Sequence, residues 1–106
     1  MAWSILALAG ILEIVWAYTM KLSHGFTRLG PSVLTLVAMI ASFGLLSYAM
    51  RTLPLGTAYT VWTGIGAVGA FVVGILVLNE PANLLRVLAA VLIVSGIVLM
   101  KVATPG

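Results

Sequence analysis

Glu13 is the residue in this chain whose type and setting most demand chemistry. It lies in an otherwise apolar run, residues 2–20, with no basic residue inside that run. Taking a carboxylate into the hydrocarbon core of a bilayer costs about 2.5 to 3.5 kcal/mol on insertion scales. Such a group can take a proton, face a watery cavity or bind a cation, and a transporter would use these options in turn. A proton and an organic cation that both neutralise Glu13 compete for one charge, and linkage makes that competition reciprocal.

The helical neighbours of Glu13 at i−3, i+3 and i+4 are Gly10, Trp16 and Ala17. Gly10 leaves space, and Trp16 offers an aromatic face and an indole N–H. Further on, Tyr59, Trp62, Thr63 and Gly66 recur at helical spacing and form a second stripe. Aromatic faces attract cations by about 0.5 to 2 kcal/mol each, most strongly where water is excluded. A carboxylate walled by Trp16, Tyr59 and Trp62 is therefore a cation box. Trp3 fits the ordinary interfacial belt, whereas Trp62 lies too far inside its run for that. Ser42, near the middle of another run, can bond either Glu13 or its own helix backbone, and taken alone the second is the default. His24 falls in a polar loop, and Glu80 reads as a helix-start residue beside Pro81.

The elements that position these groups follow from the charge pattern. The chain has 106 residues, of which 63% are hydrophobic and 7% charged. A soluble domain carries roughly 25% charged residues, so this chain cannot cover a water-facing surface. Apolar runs of about 20 residues suit membrane-spanning helices. The pattern predicts four, at residues 2–20, 31–50, 53–78 and 84–101, in one transmembrane domain covering 1–106. Arg86 near the start of the fourth can snorkel to the headgroups, and Pro54 marks a boundary because the residue before proline avoids helical dihedrals. The alternation of a membrane β-barrel is absent. The first run lacks a basic leader and holds Glu13, so it reads as a retained span and not a signal peptide.

Other classes are disfavoured. The chain has no cysteine, its five basic residues are scattered, and it has no Ser–His–Asp set, metal cluster or phosphate loop. No enzyme activity, cofactor, metal or nucleic-acid partner is expected. With four spans, Arg51 and Lys101 share the side of the N-terminus, and Lys21, Arg28 and Arg86 occupy the other. So even a split scarcely specifies an orientation under the positive-inside rule. It is compatible with insertion both ways and pairing as an antiparallel dimer, or with one fixed orientation. Small residues allow close helix approach: Gly66, Ala70 and Gly74 on the third run, Ala89 and Gly96 on the fourth.

With these residues in view, the chain resembles the small multidrug resistance family over essentially its full length. The resemblance rests on the four-span layout, Glu13 with Trp16, and the run Gly56-Thr57-Ala58-Tyr59-Thr60-Val61-Trp62-Thr63-Gly64-Ile65-Gly66. Trp62-Thr63-Gly64-Ile65-Gly66, Gly25-Phe26-Thr27-Arg28 and Glu80-Pro81 ahead of Arg86 are similar to the guanidinium-exporter subtype. The resemblance implies an all-α, multi-pass protein of the bacterial inner membrane that works as an antiparallel, dual-topology homodimer. Both Glu13 side chains would share one site exchanging guanidinium for protons, with Ser42, Trp16, Tyr59 and Trp62 as their partners. The family's dimer contact on the fourth helix usually has glycine where Ala89 stands, and Gly96 is kept.

Guanidinium suits such a site because its planar fork of donors meets a carboxylate bidentately. Two other readings stay open. One is a broader exporter of quaternary ammonium ions, which would need a looser, greasier pocket. The other is a small membrane assembly protein that transports nothing, in which Glu13→Gln would leave function intact.

Overall fold

The computed structural model describes residues 1–104. Its elements are α1 (Ala2–Leu22), α2 (Leu29–Ala49), α3 (Leu55–Leu76) and α4 (Leu84–Ala103), each long and apolar enough to cross a membrane. At 1.5 Å per residue, 20 residues reach about 30 Å, the thickness of a hydrocarbon core.

The ends differ from the expected spans by a few residues, for local reasons. Helix α1 runs through Lys21 to Leu22, where the Ser23 hydroxyl donates to the Met20 carbonyl at 2.7 Å and accepts the Phe26 N–H at 3.0 Å. These bonds hold a tight loop in which His24, Gly25 and Phe26 all have positive φ. Helix α2 starts two residues before Pro31, which its first turn accommodates because N–H groups there have no intrahelical acceptor. Pro54 precedes α3 in extended conformation, so that span starts at Leu55 and not at residue 53. At the far end the chain leaves α3 after Leu76, and Asn79 takes φ 57°.

The start of α4 also differs. Asn83, not Glu80 or Pro81, caps it, accepting the Arg86 N–H at 2.9 Å. Glu80 instead lies 3.9 Å from Arg86, whose guanidinium donates to the Pro81 carbonyl at 2.7 Å and stands over the Phe71 ring. The α3–α4 connection is thereby folded against the end of α3, with the Glu80 N–H donating to the Gly74 carbonyl.

Helix α1 is the centre of the arrangement, packed against α2 on one side and α3 on the other, while the backbone of α4 comes close to that of α3 alone. The result is a slab of 42 × 34 × 17 Å. The core is small and joins α1, α2 and α3 through Leu6, Ala9, Leu46, Ala49, Ala58, Val61 and Trp62. Polar stitches supplement it. Thr19 and Thr35 hydroxyls meet at 2.7 Å between α1 and α2. Helix α4 contributes no buried residue, and large apolar side chains are exposed on every helix. Such a surface is stable only against lipid or another protein.

Candidate functional site

The α1–α3 seam is built by glycine. A Cβ on Gly66 would collide with the Glu13 carboxyl group, and one on Gly10 would stand 2.8 Å from Ile65 Cβ. Gly69 makes room for Ile14 in the same way. The missing side chains let the two helices approach and let the Glu13 carboxyl lie directly on the backbone of α3. Glu13 Oε1 is buried and has no hydrogen-bond partner among the described residues, and the same is true of Trp16 Nε1. The subunit thus presents an unpaired carboxylate oxygen and an unpaired indole donor one helical turn apart.

A polar relay fixes the other wall. Trp62 Nε1 donates to Ser42 Oγ at 2.9 Å, and Ser42 donates to the Ala9 carbonyl at 2.7 Å. Trp62 is 6% exposed and Ser42 fully buried. In an α-helix the carbonyl of residue 9 is the one that faces the N–H of residue 13. Ser42 therefore bonds α1 at the root of Glu13 and not at its carboxylate. It does not bond its own helix either; in this structure its hydroxyl links three helices.

Around this relay the aromatic rings form a continuous chain. Trp16 meets Phe43 edge-on at 6.3 Å between centroids, Phe43 lies 5.6 Å from Trp62, and Trp62 lies 5.6 Å from Tyr59. Four rings from three helices thus stand in sequence around the relay that reaches the root of Glu13, and aromatic faces attract organic cations. The arrangement offers a carboxyl group and aromatic faces, and no group of three or more His, Cys, Asp or Glu side chains that could hold a metal is found among the described residues.

The model of the Small Multidrug Resistance protein family matches residues 1–103 of this chain. The chain belongs to that family. It is 59% identical over 104 residues to the guanidinium exporters of Citrobacter freundii and Salmonella typhimurium, covering 98% of this chain and 99% of theirs. The guanidinium exporter of Proteus vulgaris is 58% identical over 98% of this chain and 100% of its own length. Family membership and four membrane-length helices make it a multi-pass membrane transport protein.

Within this family member, Gly10, Glu13, Trp16, Ser42, Trp62 and Gly66 meet where α1, α2 and α3 pack together. The third-helix stripe divides: Trp62 and Gly66 turn towards α2 and α1, whereas Tyr59 and Thr63 line an open groove of about 520 Å³ between α3 and α4, with Gly96 and Met100. Tyr59 still joins the aromatic chain through its ring contact with Trp62 and is 51% exposed. Gly66, Ala70 and Gly74 serve the seam with α1 and the α3–α4 connection, since Ala70 lines a recess with Ala17 and Gly74 lies under the Glu80 carboxyl. Ala89 and Gly96 remain on the open face of α4. Sequence reasoning missed Phe43, which joins the two tryptophans. Its signal was present: an aromatic side chain next to Ser42 in the middle of an uncharged span.

Proposed function

We propose that this chain exports guanidinium ion in exchange for protons, with Glu13 as the group that either ligand neutralises. The observation that carries this reading is the unpaired Glu13 oxygen set on Gly66 beside the Trp16–Phe43–Trp62 wall. A planar guanidinium donates two parallel N–H bonds to a carboxylate and lays its face on a ring. Relatives 58–59% identical that are named guanidinium exporters support the choice of ion.

The working unit in this reading is an antiparallel homodimer in the bacterial inner membrane, with both Glu13 groups in one site. Support comes from α4, which buries nothing within its own subunit, and from the nearly even split of Lys and Arg between the two sides. Gly96 has no heavy atom within 4 Å of its would-be Cβ, so that face is free to receive a second helix.

Reconstitution tests the proposal. Under an outward proton gradient, with the lumen acidic, vesicles should take up guanidinium well and tetraethylammonium poorly, and Glu13→Gln should abolish proton-coupled flux. Strong tetraethylammonium transport without guanidinium transport would move the protein to the broader drug-exporter reading. Full activity of Glu13→Gln would remove the shared site altogether. A C-terminal tag should be accessible from both sides of the membrane.

A further inference from the structure

A second groove runs along the other side of α4 from the one lined by Tyr59, Thr63 and Gly96. It has a volume of about 290 Å³ and is lined by Ala7, Val61, Ile65, Ile97 and Val98, with Trp3 and Lys101 at one end. Apart from Lys101 its lining is apolar or aromatic, and Val98 is 56% exposed. The Lys101 ammonium stands 5.0 Å from the Trp3 ring centroid. The chain's only acidic side chains are Glu13, two helical turns or more into α1, and Glu80, at the other end of the bundle against Arg86. Neither can neutralise Lys101. Arg51 belongs to the same end, over the Tyr48 ring, and likewise has no acidic side chain as partner.

We infer that this groove is a binding site for an anionic phospholipid, whose acyl chain lies along Ala7, Val61, Ile65 and Val98 and whose phosphate meets the Lys101 ammonium. The charge complementarity selects the ligand: an apolar slot ending in a cation with no ion-pair partner among the described residues, at headgroup depth, suits a lipid with net negative charge better than a zwitterionic one. Trp3 marks that depth, as interfacial tryptophans do. The groove is compatible with a second copy of the chain on the Gly96 side. At 3.6 residues per turn, Ala89 lies about 20° round the axis from Gly96, whereas Val98 and Val102 lie about 200° and 240° round. A lipid in the groove would reinforce the Lys101–Trp3 contact between α4 and α1, whose backbones do not approach each other closely.

The test uses the full chain purified in detergent, with dioleoylphosphatidylglycerol and dioleoylphosphatidylcholine as probes. Native mass spectrometry should show phosphatidylglycerol retained about fivefold more than phosphatidylcholine at equal supply, the factor one basic residue near an anionic headgroup contributes. Lys101→Gln should bring that ratio close to one, and Lys101→Arg should restore it. Arg28→Gln, at the opposite end, should leave the ratio unchanged. Equal retention of the two lipids by the unmodified chain overturns the inference, as does a preference that survives in Lys101→Gln or falls equally in Arg28→Gln. Guanidinium uptake by Lys101→Gln in vesicles establishes that the variant is folded, so loss of lipid preference is not read from a collapsed protein.

Discussion

Gly66→Ala is a substitution of one methyl group that should separate the fold from the function. The new Cβ would occupy the space of the Glu13 carboxyl and stand 2.7 Å from Glu13 Cγ. The obstructed atoms are the end of a flexible side chain, so Glu13 can turn away while the helices stay in place. Keeping the carboxylate where it now lies would cost about 1–3 kcal/mol, the usual penalty for overpacking by a methyl group. That range corresponds to a loss of roughly 5- to 150-fold in guanidinium affinity. Isothermal titration of the purified protein with guanidinium, alongside its melting temperature, reads both quantities. Gly44→Ala is the control, since its Cβ would meet nothing within 4 Å, and it should bind guanidinium normally. Gly10→Ala is the contrast: it strikes Cβ of the β-branched Ile65, which cannot swing aside without moving α3, so it should lower stability as well as binding. Wild-type affinity in a normally stable Gly66→Ala would mean that the working carboxylate does not lie on α3, and the reasoning would be refuted.

Three other perturbations test separate parts of the structure. Guanidinium binding should weaken as pH falls, because protonation removes the charge the cation needs; with one proton competing per site, apparent Kd rises about tenfold per pH unit once the carboxyl is mostly protonated, and a titration flat across acidic pH contradicts the competition. Ser42→Ala leaves the buried Trp62 N–H without an acceptor and should destabilise by about 1–3 kcal/mol, whereas adding Ser42→Ala to Trp62→Phe should cost clearly less, which paired melting curves would show. Glu80→Gln breaks only a partly exposed 3.9 Å pair with Arg86, worth about 0–1 kcal/mol, so transport and melting temperature should stay near the unmodified values; a large loss of transport would assign Glu80 a role that its geometry does not suggest.

The helices were legible because bilayer crossing imposes length and apolarity on a continuous run, and four runs met both demands. Their ends were less legible. Pro54 announced its boundary, but Ser23 stops α1 through hydrogen bonds that composition does not reveal, and Asn83 displaced the acidic residue expected at the head of α4. At the site, Glu13 and Gly66 were each conspicuous alone. Their contact was not, because helical spacing orders residues on one helix and says nothing of the register between two. The same limit concealed the Trp62–Ser42–Ala9 relay, which needs three helices at once. It also explains Thr63, which shares a stripe with Trp62 but turns towards α4.

The placement of charge argues for why the proposed site is built from aromatics. Glu80 has Arg86 beside it, but Glu13 has no basic residue in reach: Lys21 is eight residues along α1, about 12 Å away by helical rise. A lysine or arginine next to Glu13 would satisfy the carboxylate permanently and hold the place a transported cation must take. Rings do not. Trp16, Phe43 and Trp62 attract a cation only when one is present and carry no charge when it leaves, so in the proposed exchange the carboxylate would be left open to a proton. Replacing Phe43 by lysine should therefore abolish guanidinium binding while relieving the buried charge. A Phe43→Lys protein that still bound guanidinium would show that the electrostatic vacancy at Glu13 is not what drives binding.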